Sequence, residues 1–257
     1  MCLLVFAWKT HPDYPLIFAG NRDELHTRPS TAAGFWQQSP RVLAGRDLQA
    51  GGTWLGMTTT GRFAVVTNYR AGLNPERAER SRGELAADFL QARIPPEVYL
   101  QDVIKRAHEY GAFSLIVGER SALWYFSNRG ETKPRPVPPG IHGLSNHLLD
   151  TPWPKVTRSK AALKRLLEQQ DLNDAGLFTL LADRAAAAEE LLPDTGIGAQ
   201  RERQVSPVFV VNQVYGTRCS SLILLYADGQ ARFAERRFAA DGGALETRIF
   251  HHTACTR

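Results

Sequence analysis

The chain is poor in cysteine, with only Cys2, Cys219 and Cys255 among 257 residues. The three form neither a C-x-x-C pair nor an even set, which excludes a disulfide framework and a cysteine-based zinc site and fits a reducing compartment. His251 and His252 stand near Cys255, but they lie in a polar terminal stretch that reads as a strand end or a mobile tail. No metal and no cofactor is expected. No apolar run approaches the roughly 20 residues needed to cross a bilayer, so no transmembrane segment is expected. The first residues lack the basic start of a secretory signal, and Lys9, His11 and Pro12 cut their apolar run short. A cytoplasmic location is the expectation. Aromatic residues are almost absent from the basic stretch between Arg70 and Arg82, where Glu76 and Glu79 interleave with the arginines. That argues against a stacking platform for nucleic acid. Repeats, low-complexity tracts and linkers are missing too, so residues 1–257 are read as a single domain.

What is present is an ordinary globular composition, 43% hydrophobic and 22% charged, with a net charge of +5. The balance gives a mildly basic surface that would help an anionic ligand and licenses nothing more. The most informative stretch is the first. Cys2 follows the initiator methionine, so removal of one residue would leave a thiol beside a free α-amine. An α-amine has an ordinary pKa of about 7.7–8.0, close enough to neutral to act as a general base for its own side chain. Residues 2–8 and 16–20 are apolar runs separated by His11-Pro12-Asp13-Tyr14-Pro15, the pattern of a hairpin of two buried strands. A turn near Pro12 makes paired residue numbers sum to about 24. Cys2 then faces Arg22, with Asn21 and Asp23 beside it. A buried structural Cys and a turn-forming Asp are the plainer readings of the same residues.

Gly51-Gly52 precedes a second strand pair, Thr53–Thr59 and Arg62–Tyr69, which brings Asn68 and Tyr69 to a strand end near Trp54. Residues 30–50 carry no regular pattern. Ser81-Arg82-Gly83-Glu84 matches a capping box with Ser81 as N-cap, ahead of a helix carrying Leu85, Phe89 and Leu90. Pro95-Pro96 ends that helix and opens another, which Gly111 stops. Strands follow at Phe113–Val117 and Leu123–Phe126, then a proline-rich edge loop over 134–140. A short strand from Ile141 has Asn146 at its end. Helices are expected at about 154–169 and 174–192, and strands at Val208–Val211, Tyr215–Tyr226 and Arg232–Phe238. Hairpins alternating with helix pairs indicate an α+β chain, two antiparallel sheets sandwiched between helical layers.

With these pieces placed, the sequence resembles the NRDE family, which includes the transport-and-Golgi-organisation proteins. The residues that carry the likeness are Met1-Cys2, Asn21-Arg22-Asp23-Glu24, Arg28-Pro29, Gly52-Thr53-Trp54, Thr67-Asn68-Tyr69-Arg70, Ser81-Arg82-Gly83 and Tyr215-Gly216-Thr217-Arg218. The resemblance implies a four-layer αββα sandwich of the N-terminal-nucleophile (Ntn) hydrolase type. A more distant likeness to bile-salt hydrolases and penicillin V acylases implies a catalytic set of Cys2, Arg22, Asp23, Asn68, Asn146 and Arg218. In those acylases the early arginine lies three residues before the Asp, whereas Arg22 adjoins Asp23. In this reading Cys2 attacks a carbonyl, Asp23 holds the ammonium, Arg22 or Arg218 favours the thiolate, and Asn146 with a backbone N–H near Asn68-Tyr69 receives the oxyanion. Trp54, Tyr69 and Arg70 are expected to line the pocket. The implied activity is hydrolysis of a non-peptide C–N bond in a small acylated molecule, after Met1 removal. The family's association with haem mobilisation and lipid homeostasis implies an alternative, a non-catalytic haem- or lipid-binding protein using the same cleft. There Cys2 or His26 would ligate haem iron, although no C-x-x-C-H attachment motif is present.

Overall fold

The alternation of apolar side chains along the first hairpin sets the layering of the whole molecule. In this computed structural model, which describes residues 3–72, 78–130, 133–169 and 172–253, β1 (Leu3–Trp8) pairs antiparallel with β2 (Leu16–Leu25). Leu4, Phe6 and Trp8 point into one core while Val5 and Ala7 point into another, as the period of two requires. Both faces are therefore covered. The pairs run from Trp8 opposite Leu16 to Leu3 opposite Asn21, so paired numbers sum to 24, as expected from the turn near Pro12.

Two antiparallel sheets face each other. One has the order β10 (Gly140–Leu144), β1, β2, β11 (Tyr215–Leu225), β12 (Gln230–Phe238) and β13 (Ala244–Thr253). The other runs β3 (Ser30–Trp36), β4 (Ser39–Asp47), β5 (Leu55–Thr58), β6 (Phe63–Asn68), β7 (Phe113–Gly118), β8 (Leu123–Ser127) and β9 (Arg135–Pro136). Phe6, Phe18, Phe63, Ile116, Ile223 and Phe233 fill the space between them. The outer face of the first sheet packs on α3 (Pro154–Glu168) and α4 (Asp174–Leu181) through Ile17, Leu163, Leu177 and Leu222. The outer face of the second packs on α1 (Arg82–Gln91) and α2 (Pro96–Lys105) through Ala64, Leu85, Phe89, Val103 and Leu115. The architecture is the αββα sandwich anticipated from sequence.

Several local expectations are corrected. Residues 30–50 are not irregular: β3 and β4 form a hairpin whose register shifts twice, and those bulges, together with Ala32, Ala33 and Gly34, hide the period of two. The helix expected over 174–192 ends at Leu181. The alanine run beyond it is drawn out of helix by tertiary bonds. Asp183 O accepts the Phe209 N–H and the Ala187 N–H reaches Ser206 Oγ, at 2.8 and 2.9 Å. A short helix, α5 (Ala199–Gln204), follows instead. Val208–Val211 is not a strand, because its backbone bonds Asp183 and the start of β11. Ser81 does stand at the N-cap of α1, but its side chain makes no capping bond, and Glu84 pairs with Arg80. His251 and His252 belong to an edge strand, β13, while Cys255 lies outside the described residues. No helix is long and apolar enough to cross a membrane among the described residues.

Candidate active site

The four residues Asn21-Arg22-Asp23-Glu24 end β2, and the strand's alternation sends them to different tasks. Asn21 is fully buried on the helical side. It donates to Leu181 O and Val208 O and accepts from Ser220 Oγ at 2.8, 2.9 and 2.6 Å, which ties α4, the segment before β11 and β11 itself together. Asp23, also buried, accepts from Thr217 Oγ1 at 2.7 Å. Arg22 points the other way, between the sheets, where its guanidinium carbon sits 4.2 Å from the ring centre of Trp54. Glu24 accepts the Leu25 N–H and comes within 3.8 Å of both Arg22 and Arg28.

From the opposite side come two strand ends. Asn146 follows β10 in a left-handed conformation with φ 52°, which asparagine tolerates better than most residues. That turn lets its Nδ2 donate to Asn68 O at 3.2 Å and its Oδ1 accept from Arg70 Nη2 at 3.1 Å, while Asn146 O accepts the Arg70 N–H at 2.7 Å. Arg70 is held in turn by the buried Glu202 of α5, Nη1 to Oε2 at 2.9 Å. The Tyr69 N–H is occupied by Ala112 O at 3.0 Å. Because alternate residues of an antiparallel strand turn their peptide groups to opposite sides, the Asn68 N–H faces away from β7. It therefore shares the edge on which Asn146 Nδ2 meets the Asn68 carbonyl. Of the Asn68-Tyr69 pair, only Asn68 offers a backbone donor on that edge. Tyr69 OH meets His147 Nε2 at 2.7 Å, and burial lowers the His147 pKa.

Arg22, Asp23, Trp54, Asn68, Tyr69, Arg70 and Asn146 all line one cavity of about 730 Å³. Seven of the nine sequence-predicted site residues are thus brought together. Arg218 is not among the lining residues. It sits at a bulge in β11 and donates through Nη1 to Leu25 O, His26 O and Arg28 O at 2.8, 3.1 and 3.2 Å, so it fastens the loop after β2. Cys2 lies outside the described residues. Cys219, the one cysteine among the described residues, is buried in the inter-sheet core, and burial pushes its thiol pKa up; it is no candidate nucleophile. His26 does not line the cavity either, since its Nε2 meets Asn212 O at 2.8 Å. No group of three or more metal-ligating side chains occurs among the described residues.

Sequence reasoning missed Thr217 and Glu202. Thr217 had a usable signal, standing one bulge from Arg218 on a strand that pairs with β2. Glu202 had none, because it sits in an unpatterned charged stretch whose burial is decided only by packing.

A hairpin of nearly invariant alternation, two facing antiparallel sheets and a polar cavity at the strand ends define the fold class. It is that of the N-terminal-nucleophile hydrolases. The Caenorhabditis elegans N-acylethanolamine-hydrolyzing acid amidase ortholog superposes with a TM-score of 0.55 over 87% of this chain and 92% of its own, at 11% identity. A variant of conjugated bile acid hydrolase from Clostridium perfringens gives 0.51 over 98% of each chain at 9% identity. Such identities speak to fold alone. The family is given by sequence: the family described as Transport and Golgi organisation 2 matches residues 1–240, and the chain belongs to it. The Transport and Golgi organization protein 2 homolog of Bos taurus is 39% identical over 92% of both chains, and that of Homo sapiens is 37% identical over 98% of this chain and 99% of its own.

Proposed function

We propose that the protein is an N-terminal-cysteine amidohydrolase acting on a non-peptide C–N bond of a small acylated molecule. The observation that carries the reading is the first ladder. Its last described pair is Leu3 opposite Asn21, and Cys2 directly precedes Leu3 in the chain. The next residues along β2, Arg22 and Asp23, both line the cavity. With Met1 removed, the Cys2 thiol loses its proton to its own α-amine and the sulfur adds to the amide carbonyl. The proton then passes to the departing amine as the C–N bond breaks, and water releases the acyl group from sulfur. Asp23, fixed by Thr217, is suited to hold the ammonium, and Arg22 is the nearby cation that favours a thiolate. Asn146 Nδ2 and the Asn68 N–H are the donors available to an oxyanion, each of a kind worth about 2.7–4 kcal/mol where such donors have been removed. The amidase activity in the name of one solved structure and the hydrolase activity in the name of the other agree with this reading by analogy of fold.

Intact-mass measurement is the first test, because an amide nitrogen at residue 2 is no base. A chain that keeps Met1 would sink the mechanism. With Met1 gone, a panel of N-acylated amines and N-acyl amino acids should reveal turnover that Cys2→Ala lowers by roughly 10⁴-fold or more. Turnover undiminished by that change would remove Cys2 from the chemistry.

A further inference from the structure

Two cavity-lining residues whose side chains stack 4.2 Å apart each carry a buried donor that has no acceptor among the described residues. Arg22 is 4% exposed and Trp54 6%; Arg22 Nη1 and Trp54 Nε1 both lack a hydrogen-bond partner. Arg22 Nη2 does no better, meeting Glu24 and Asp47 only at 3.8 and 4.0 Å. Those carboxylates are engaged elsewhere. Asp47 binds Arg28 Nε at 2.7 Å and the Gln49 and Ala50 N–H groups, and Glu24 binds the Leu25 N–H. Buried polar groups are nearly always satisfied, and a buried guanidinium more so than most. We propose that Arg22 and Trp54 form an anion subsite in this cavity, one that takes a carboxylate or phosphate group of the ligand.

The surroundings fit that chemistry. The ring of Trp54 lies against Gly45 so closely that a Cβ there would come within 2.5 Å of it, so the indole is held in one place with Arg22 stacked on it. Thr53, next to Trp54, donates its N–H to Gly83 O at 3.1 Å. That bond sets the start of the ten-residue helix α1 beside the stack, and Ser81, Arg82 and Gly83 of its first turn line the same cavity. The N-terminal end of a helix favours negative charge. The wall as a whole carries six arginines against four carboxylates. A planar guanidinium with an unused N–H edge matches a pair of anionic oxygens better than a single carbonyl. The subsite stands whether or not Cys2 is a nucleophile, and a guanidinium with five N–H donors can serve an anion and a thiolate together.

The test uses the full chain and needs no turnover. The five tryptophans give five indole N–H resonances, and Trp54→Phe identifies the one from Trp54. Inorganic phosphate and acetate are titrated separately at ionic strength held constant with chloride. The Trp54 resonance should move saturably with at least one of them, and the tighter of the two names the group. In Arg22→Met the saturable shift should vanish while the other four resonances stay in place; Arg22→Lys, which keeps the charge and loses the fork, should bind about tenfold more weakly. No saturable movement in the wild-type chain with either anion would overturn the proposal. So would a shift of equal affinity in both Arg22 variants.

Discussion

Glu235 carries a carboxyl group into the space between the sheets, 2% exposed, with Oε1 on the Ala33 N–H at 2.7 Å and the Cys219 thiol beside it. Burial raises its pKa above the ordinary 4.5, outweighing the Ala33 N–H and the positive charges of Arg237 and Arg22. The folded chain therefore holds this proton to a higher pH than the unfolded chain does. Between the two pKa values the native state binds more protons, so stability falls as pH rises through that window. Glu235→Gln keeps an acceptor for Ala33 and removes the titration. Denaturant midpoints should show the variant gaining on the wild type as pH increases from about 4 to 8. A difference that does not change with pH would refute the assignment. Here the cost of one side chain is decided by its surroundings and not by its type.

At the scale of elements, α1 shows how a sequence motif and a structural device can part company. Ser81-Arg82-Gly83-Glu84 has the spacing of a capping box, yet Ser81 gives no side-chain bond and Glu84 is drawn to Arg80. What fixes the helix start is packing, through Leu85, Phe89 and Leu90, together with the Thr53-to-Gly83 backbone bond. Gly52 admits that approach, since a Cβ on it would lie 2.4 Å from the Gly83 carbonyl carbon. Ser81→Ala should accordingly change stability by less than about 0.5 kcal/mol, where a working N-cap would cost about 1. Chemical denaturation settles it: a loss near 1 kcal/mol would show that the hydroxyl caps the helix in solution.

For the whole molecule, the strand ends that make the cavity come from remote parts of the chain and need fastening. Glu202 on α5 accepts from Arg70 after β6, and Arg70 holds Asn146 after β10, so one carboxylate links both sheets to the late helix. It also accepts the Thr195 N–H and hydroxyl at 2.9 and 2.5 Å. Removing one partner of a buried pair strands the other. Glu202→Ala should lower stability by about 3 kcal/mol, which for a chain of this size is a fall in Tm of roughly 6–12 °C by calorimetry. A fall of less than about 2 °C would mean that Arg70 finds another partner and that the link is dispensable.

The sequence by itself determined the first hairpin and its register, because alternation and the Pro12–Pro15 turn are local and the period of two leaves one solution. It also determined the order of hairpins and helix pairs, and hence the αββα layering, and it pointed to Asp23, Asn68 and Asn146 at strand ends. Tertiary structure alone decided the rest. The alanine run after Leu181 has high helix propensity, but bonds to Ser206 and from Phe209 to Asp183 outweigh it. The bulged hairpin of β3 and β4 has no clean period to read. Arg218 serves the loop carbonyls and not the cavity, since only the assembled fold shows which acceptors lie within its reach. Arg22 and Trp54 are each expected at the cavity from sequence, but the stack of Arg22, in β2, on Trp54, just before β5, with a donor of each left unsatisfied, is visible only in the fold. Burial and hydrogen-bond satisfaction are properties of neighbours in space, which a linear pattern does not contain.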